Sequence, residues 1–542
     1  MKSKTYPPGL YYLVFTEFWE RFGYYLMIGI FFLYMTKGEN TGAWGWENEK
    51  ASDIYGTFIA LAYLTPFMGG LLADLKWGYR RCIIIGGLLM GTGYCLLAVP
   101  QIGAFYTALA IMVIGNGFFK PNISTLLGNL FNTPEYKNQK DTGYNLFYMG
   151  INLGAFICNF VAAIMRNKIG WHGAFITAGV GMFIGVFTFI AGSRHYRHVD
   201  VPRKPSADDR SMLQQLFTVI ASGFCFAVLG WSIPGNVMGS DSTDAFFLFC
   251  IPVIVFYARL YIKANDSERQ PLGTMFTIFL VVILFWAIFK QNGTALTTYA
   301  EQYTAREIPE TVSGLAKKLG FAETLKYTKD SVWAKDQFFR KLKHDGKPYK
   351  VLDYPDYYKN DTPKTVPQIN TQKQVWNTEI FQSINPFFVV LFTPLLIVFF
   401  NRLKLRGKEP TTATKIAYGL FISALSVLVM VFAVYYTDNG STKASALWLI
   451  TSYAVITVGE LCLSPMGLSM VSKLAPVRYT ALMMGGWQLA TSIGNKLSGV
   501  LSKNWDLFTN KALYFWLNFA LLMLAFTVLM VLLKRLNRAF KV

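Results

Sequence analysis

Apolar runs of about 20 residues recur along nearly the whole chain, separated by short polar or glycine-containing stretches. A run of this length crosses a bilayer as an α-helix, because a helix makes its backbone hydrogen bonds within the segment. The pattern predicts an all-α polytopic membrane protein with fourteen spans. These are 9–37, 50–74, 81–98, 103–130, 143–167, 172–194, 211–232, 243–265, 272–298, 380–402, 412–436, 446–473, 479–503 and 511–536.

The composition agrees with this pattern. Of the 542 residues, 53% are hydrophobic and only 15% are charged, whereas a soluble chain carries about 25% charged residues. The stretch "MKSKTYPP" precedes the first span, and no small-residue cleavage site follows it. We therefore expect an uncleaved first helix rather than a removed signal peptide.

A formal charge of +20 suggests a nucleic-acid partner only until the charges are placed along the chain. The tails and short loops on the side of the N-terminus hold 26 lysines and arginines, against seven in the short loops on the other side. The positive-inside rule therefore predicts that both termini are cytoplasmic. The orientation of the chain in the membrane then accounts for the net charge, and we expect no nucleic-acid partner.

The spans divide the chain into three blocks. Residues 1–194 and 271–542 each hold six spans, and 195–270 hold a basic cytoplasmic linker with two extra spans. A polar insert at 299–378 lies on the outside, and the sequence leaves open whether it is a folded cap or a partly ordered loop. Two six-helix halves joined in this way resemble the major facilitator fold, in which the substrate binds at the midplane between the halves.

The loop "GGLLADLKWGYRR" (69–81) follows the second span. It resembles the major facilitator signature, in which an aspartate and arginines hold cytoplasmic helix ends together. The resemblance makes Asp74, Arg80 and Arg81 a cytoplasmic gate. A tight glycine turn under the positive-inside rule would also explain the two arginines, but not the whole spacing.

Four basic residues fall inside predicted spans, namely Arg21, Lys120, Lys290 and Lys496. The first lies in "EFWERFGYY" (17–25), where Glu17, Glu20 and Arg21 share one helix face. A charge at the bilayer centre costs roughly 2.5–3.5 kcal/mol or more, so this face must look inward. Two carboxylates beside one guanidinium leave a surplus carboxylate that can take a proton. The alternative is an internal salt bridge that only joins helices.

Four motifs resemble those of the proton-coupled oligopeptide transporters, a family within the major facilitator superfamily. They are Glu17-x-x-Glu20-Arg21-Phe22, "GNGFFKPN" (115–122), "FYMGINLGA" (147–155) and "GELCLSPMGL" (459–468). The resemblance covers nearly the whole chain except the insert, and it includes the two extra helices of bacterial members. It implies a multi-pass protein of the plasma (bacterial inner) membrane.

The resemblance also implies roles for individual residues. Glu460 would hold the peptide amino end with Asn385 beside it, and Arg21 and Lys120 would face the carboxyl end. Tyr25, Tyr63, Tyr148 and Asn152 would add hydrogen bonds, Trp286 and Trp487 would shape side-chain pockets, and Ser464 lies one turn below Glu460. The proton would be taken by Glu17, Glu20 or Glu460.

Two positions depart from the family pattern. Many members carry an arginine seven residues after the motif arginine, where this chain has Ile28, and an acid in the seventh helix, where "FWAIFKQNG" (285–293) has Lys290. In the family these two can pair at an outside gate. We hypothesise that Lys290 replaces the lost positive charge and pairs with an acid or with the substrate carboxylate. The alternative is that Lys290 extends to the outside surface.

The four histidines lie at span ends or in loops, so the sequence predicts that carboxylates bind the coupling proton. The expected function is proton-coupled import of di- and tripeptides by alternating access. We expect no cofactor other than the coupling proton, no metal, no enzymatic activity and a monomer. Alternatives are another small zwitterionic or anionic solute, a peptide-like drug, or drug export.

Overall fold

The computed structural model describes residues 6–73, 77–132, 135–136, 139–200, 207–360, 371–475 and 480–539. Helices occupy the fourteen predicted spans, with ends within a few residues of those predicted. They are α1 (Pro8–Thr36), α2 (Asn48–Leu64), α3 (Pro66–Leu72), α4 (Tyr79–Leu97), α5 (Ile102–Leu130), α6 (Lys140–Lys168), α7 (Trp171–Ala191), α8 (Ala207–Trp231), α9 (Asp241–Ile262), α10 (Asp266–Phe289), α11 (Ala295–Gln302), α12 (Glu310–Leu319), α13 (Ile384–Leu405), α14 (Thr412–Tyr436), α15 (Ala446–Leu474), α16 (Thr480–Lys503) and α17 (Lys511–Ala539).

Two predicted spans are interrupted. The second breaks between α2 and α3 at Thr65, because Pro66 begins the new helix. The ninth breaks between α10 and α11, where Lys290–Gly293 form a 3-10 turn. A Cβ at Gly293 would lie 1.7 Å from the Tyr55 hydroxyl, so only glycine fits at this break.

Eleven helical segments of the described residues are long and apolar enough to cross a membrane. The remaining three predicted spans are α1, the α2–α3 pair and α16. Each carries buried polar side chains, among them Glu20 in α1, Ser52 in α2 and Lys496 in α16. Buried polar residues lower the mean hydropathy of these helices, so they face protein rather than lipid.

Two separate hydrophobic cores fill the membrane part. One is built from residues between 10 and 199, in α1–α7, which we call the first bundle. The other is built from residues between 216 and 536, mainly in α10–α11 and α13–α17, which we call the second bundle. The extra helices α8 and α9 pack on each other, and α9 contacts α2 and α16 through a small cluster around Phe246 and Phe249. The domain boundaries drawn from sequence stay a prediction.

The described part of the insert is a folded cap. It contains α12 and three antiparallel ladders, and a short parallel ladder ties it to the loop between α14 and α15. The strands are β1 (Thr304–Ala305), β2 (Ala322–Lys326), β3 (Asp330–Trp333), β4 (Lys343–His344), β5 (Lys347–Pro348), β6 (Lys350–Asp353), β7 (Gln372–Trp376) and β8 (Ala444–Ser445), paired β1–β8, β2–β7, β3–β6 and β4–β5. We call this side of the protein the insert face, and the side where α1 begins and α17 ends the terminal face.

A network of ion pairs fastens the cap to both bundles. Glu323 of β2 lies 2.9 Å from Lys37 Nζ at the end of α1 and 3.1 Å from Arg166 Nη2 in α6. Lys37 also lies 3.1 Å from Glu301 of α11, and Arg166 Nε lies 2.8 Å from Glu379. Burial disfavours ionisation of Glu323, but the neighbouring cations outweigh it and hold the pKa of its carboxyl well below the usual range.

We expect Glu323→Gln to loosen the docking of β2, because Lys37 and Arg166 each lose a partly buried carboxylate. Charged hydrogen bonds of this kind are worth about 1.5–3 kcal/mol each. The measurement is hydrogen exchange of residues 322–326 in lipid nanodiscs. Because the folded-state pKa is depressed, the protection that Glu323 contributes is complete at pH 7 and is lost as the pH falls below about 4.3, the ordinary value for glutamate.

The matched control is Glu307→Gln, which removes an exposed insert carboxylate 2.6 Å from Lys373. Exposed pairs contribute about 0–1 kcal/mol, so exchange in β2 should change little. Equal exchange rates in Glu323→Gln and in wild type at pH 7 would contradict the proposed anchoring.

Candidate functional site

The three charges of α1 form one compact buried group. Arg21 holds Glu20 with two parallel hydrogen bonds, one from Nε to Oε2 and one of 2.5 Å from Nη2 to Oε1. Glu17 is held less tightly, with its Oε1 3.3 Å from Arg21 Nε, and its buried Oε2 has no hydrogen-bond partner. Two donors of the Arg21 guanidinium therefore bind the Glu20 carboxylate. Glu17 is the second carboxylate, which one guanidinium charge leaves in excess.

Tyr63 of α2 brings cations from both bundles together. Lys120 Nζ of α5 lies 3.9 Å from the centroid of the Tyr63 ring, and Lys290 Nζ of the second bundle lies 5.4 Å from it. Arg21 faces Tyr24 and Tyr25 at 5.2 and 5.9 Å. Aromatic faces attract cations, so the tyrosines hold three positive groups in one region without neutralising them.

The acid of the second bundle has a fixed orientation. Asn385 of α13 donates from Nδ2 to Glu460 Oε2 at 3.0 Å and to Thr457 Oγ1 at 2.9 Å. Ser464 lies one turn further along α15, and its buried hydroxyl has no hydrogen-bond partner. The predicted neighbours Glu460 and Asn385 are thus in direct contact, and Lys290 is an electrostatic neighbour of Glu460.

Polar residues of the two bundles face each other across their interface at this level. Tyr148 of α6 is an electrostatic neighbour of Glu460 across the interface, yet 43% of its surface is exposed. Asn152, one turn further, is buried and donates to the Tyr148 carbonyl at 2.8 Å. Trp286 and Trp487 are almost fully buried, and the Trp487 ring packs beside Gly467 of α15. Their predicted roles as pocket walls stay predictions.

Lys290 lies at the helix break between α10 and α11, twelve residues before the end of the span. It faces the rings of Tyr63, Trp286 and Phe289 at 5.4–5.6 Å, and it has no carboxylate within ion-pair distance among the described residues. The contacts with Tyr63 and Trp286 favour an inward orientation over the alternative that Lys290 extends to the outside surface. Its predicted pairing with an acid is not seen at contact distance.

The predicted terminal-face gate is only partly described. Asp74 lies outside the described residues. Arg80 donates to Ser193 Oγ at the end of the first bundle, and Arg81 is exposed. Asp200 of the linker accepts from the backbone nitrogens of Tyr79 at 2.8 Å and Arg80 at 3.4 Å, which satisfies orphan donors at the start of α4. The gate role stays a prediction.

The bundles touch each other toward the insert face. A Cβ on Gly56 of α2 would lie 2.8 Å from the Gly499 Cα of α16, so the two backbones cross at close range. Ser492 donates to the Ala60 carbonyl at 2.6 Å, and Asn159 donates to Ser383 at 3.2 Å. These contacts close the interface between the bundles on the insert side of Tyr148.

One polar group at this contact between the bundles was not predicted from the sequence. Lys496 was noticed as a charge within a span, but its partner Asp53 of α2 was not, although residue 53 falls inside the predicted span 50–74. Lys496 Nζ lies 2.7 Å from Asp53 Oδ1. A lone lysine in an apolar helix requires an acid on a neighbouring helix, and that requirement is the signal that could have identified Asp53.

Comparisons with known proteins point to a single family. A family model described as the POT family matches residues 80–313 and 368–517. The di-/tripeptide transporter of Lactococcus lactis subsp. lactis (strain IL1403) is 29% identical over 509 residues, which cover 92% of this chain and 89% of that protein. The peptide transporter YePEPT of Yersinia enterocolitica subsp. palearctica serotype O:3 (strain YE-P4) is 28% identical over 504 residues, covering 90% and 86%.

Solved structures agree over the full length. The crystal structure of a peptide transporter POT in complex with sulfate matches with a TM-score of 0.76 and 27% identity, covering 98% of this chain and 96% of that one. A mutant in complex with alafosfalin matches with a TM-score of 0.75 and 27% identity, covering 99% and 96%. The predicted all-α major facilitator fold is thereby confirmed.

We expect Arg21→Gln to destabilise the protein strongly, because it leaves two carboxylates buried without a cation. Breaking a buried ion pair costs about 3–5 kcal/mol. The double variant Glu20→Gln with Arg21→Gln should recover much of the loss, since a neutral pair can still form hydrogen bonds. Thermal unfolding in detergent measures both effects.

The control for Arg21 is Lys350→Gln, which breaks an exposed pair with Glu39. It should change the unfolding temperature little. A double variant no more stable than Arg21→Gln alone would show that the α1 charges are not coupled in the way their contacts indicate.

Proposed function

Because this chain belongs to the POT family of transporters, we propose that it imports di- and tripeptides together with protons by alternating access. The observation that carries this proposal is the separation of charge between the bundles. Arg21 and Lys120 lie on the first bundle, and Glu460 lies on the second. A dipeptide is a zwitterion with fixed ends of opposite sign, so it fits a site with this polarity better than a simple anion does.

The peptide ends then have defined places. The ammonium group binds Glu460, whose carboxylate Asn385 holds in position. The carboxylate binds near Tyr63, where Lys120 and Lys290 converge. Tyrosine faces and hydroxyls accept many side chains because they demand little specific hydrogen bonding, and this supports broad peptide selectivity.

Glu17 is the proton acceptor in this proposal. It is the carboxylate that Arg21 holds less tightly, and one of its oxygens has no partner. A proton on Glu17 removes the surplus negative charge beside Arg21 and so strengthens the attraction of this region for the peptide carboxylate. Protonation thus couples to substrate binding, and the ligand shifts the equilibrium between the two orientations of the bundles.

Orientation and environment follow from the charge of the loops. We place both termini in the cytoplasm of a bacterial inner membrane, and the insert outside, because basic residues concentrate on the terminal side. The inward membrane potential then favours proton entry by about 2.3 kcal/mol per charge per 100 mV. We propose a monomer that performs transport without chemistry on its cargo.

The first test is uptake of labelled dialanine by liposomes that contain the purified protein. We expect accumulation under an inward proton gradient, collapse with a protonophore, and at least tenfold lower uptake in Glu460→Gln. An amino-acetylated peptide should compete poorly with dialanine, because it cannot offer an ammonium group to Glu460. The matched control is Asp266→Asn, which changes an exposed acid at the start of α10 on the terminal face and should transport like wild type.

Failure of dialanine uptake while other anionic or zwitterionic solutes compete for binding would reject peptide as the cargo. It would favour the second candidate, a same-family transporter of another small solute. The observation behind that candidate is the third cation, Lys290, which adds positive charge beside Lys120 and Arg21.

We expect Lys290→Ala to raise the KM for dialanine roughly tenfold or more, since a charged hydrogen bond to a carboxylate is worth about 1.5–3 kcal/mol. A peptide with an amidated carboxyl end should bind Lys290→Ala about as well as it binds wild type, because it has no carboxylate with which Lys290 could interact. Uptake kinetics at two pH values measure the change, with Lys404→Ala at the terminal face as control. Unchanged KM and unchanged pH dependence would rule out a substrate role for Lys290.

A further inference from the structure

A second buried ion pair joins the two bundles far from the peptide site. Asp53 of α2 belongs to the first bundle and Lys496 of α16 to the second, with 2.7 Å between Lys496 Nζ and Asp53 Oδ1. Asp53 lies five residues from the start of α2, about 8 Å below the insert face at a rise of 1.5 Å per residue. The proposed peptide and proton sites use neither residue.

The extra helix α9 encloses this pair. Ser240 and Thr243 donate to Asp53 Oδ1 at 2.9 and 3.1 Å, and Ser242 donates to Oδ2 at 2.6 Å. Lys496 Nζ donates to Ser242 at 3.1 Å and to Thr57 of α2 at 2.6 Å. Hydrogen bonds from three hydroxyls favour the ionised carboxylate, so the site is built for a charged Asp53.

The pair sits where the bundles are closest. The contact of Gly56 with Gly499 lies one turn from it on the same two helices. Separation of α2 from α16 would therefore open the insert face and break the pair in the same movement. The family's usual outside pair cannot form in this chain, because its two positions are Ile28 and Lys290.

Asp53 is less buried than Lys496. The Asp53 side chain is 16% exposed, whereas the Lys496 side chain is fully buried. A cavity of about 860 Å³ between the cap and the helix ends is lined by Glu49, one turn from Asp53 on α2, and by Lys503, two turns from Lys496 on α16. The cavity therefore extends to within one helical turn of Asp53.

The charged and titratable groups that face the pair are few. They are Lys503 on α16, Asp244 on α9 and Tyr106 on α5. Asp244 accepts a 2.7 Å hydrogen bond from the Met238 nitrogen, and Lys503 lies 3.3 Å from Glu49. Lys503 thus has an acidic partner of its own, whereas Asp244 has one oxygen without a partner. Asp53, at 2.7 Å, is the carboxylate in contact with Lys496.

We propose that Asp53 and Lys496, enclosed by the hydroxyls of α9, form an acid-sensitive latch that closes the insert face. A proton from outside adds to Asp53 and neutralises its carboxylate, so the pair gains a net positive charge. Lys496 keeps its own proton and is then a cation without a counter-ion in a dry interface. Opening of the insert face restores water to Lys496, and the latch re-forms only after Asp53 has lost its proton. Outside acid thereby favours the state that receives substrate.

The latch gives α9 a function. Its first turn keeps three hydroxyl donors on Asp53, which strengthens the ionised state and sets how acid the outside must be before the insert face opens. Removal of one donor makes Asp53 easier to protonate. Ser242→Ala should therefore open the insert face at a pH about one unit higher than wild type, equivalent to a tenfold change in proton concentration.

The test measures the insert face directly by pulsed spin-label distance measurements in lipid nanodiscs. Labels are placed at Gln101→Cys on the first bundle and Leu507→Cys on the second, in a Cys225→Ser background that removes the exposed native cysteine. Wild type should show a growing population of long distances between pH 7.5 and 5.5. Asp53→Asn should show the long distances at both pH values, and its response to pH should fall at least fivefold.

The controls separate the latch from other effects. Asp266→Asn, a change at an exposed acid on the terminal face, should respond to pH like wild type. Ser242→Ala preserves the ion pair between Asp53 and Lys496. The shift in the pH at which its insert face opens therefore keeps the proposal testable if Asp53→Asn does not fold. Short distances in Asp53→Asn with a wild-type pH response, or an unshifted midpoint in Ser242→Ala, would overturn the latch.

This inference rests on the alternating access of the proposed function, but the distance measurement needs no substrate. A latch that responds as expected beside an absence of dialanine uptake would reject only the proposed cargo. Dialanine uptake with a pH-insensitive insert face would reject only the latch.

Discussion

An ionised side chain inside a bilayer must find a counter-charge or an aromatic face within the protein, and the rest of this structure depends on that requirement. Arg21 meets it within one helix through Glu20 and Glu17. Lys496 meets it across the two bundles through Asp53. The first arrangement survives any movement of the bundles, whereas the second breaks when they separate. The location of a counter-charge therefore decides whether an ion pair supports a bundle or controls a conformational change.

The sequence predicted the fold well because helix length and apolar character are local properties. The ends of α1, α14 and α16 differ from the predicted spans by about one residue. The interruption at Lys290–Gly293 was not predicted, and the close approach of the Tyr55 hydroxyl to Gly293 comes from another helix, which a local pattern does not reveal. The fold of the insert was also left open, because its short strands pair over separations that a local pattern does not reveal.

The site was predictable to the extent that motifs fix residue types on a helix face. The contact between Glu460 and Asn385 and the cluster in α1 appear where the motifs indicated. The distances between helices were not predictable. Lys290 was expected beside an acid or the substrate carboxylate, and it faces Tyr63 near Lys120, with no acid at contact distance among the described residues. The helix break sets this position, so a feature of the backbone that the sequence did not reveal determines which charges meet.

Loss of one ion pair from a gate does not require loss of the gate. The insert face of this chain is closed by the Asp53–Lys496 pair, by the crossing of Gly56 and Gly499, and by the cap, whose Glu323 binds cations at the ends of two first-bundle helices. These contacts lie at different depths, so they can be broken in order from the outside inward. In this chain Lys290 faces Tyr63 near Lys120 instead of taking part in an ion pair at contact distance among the described residues.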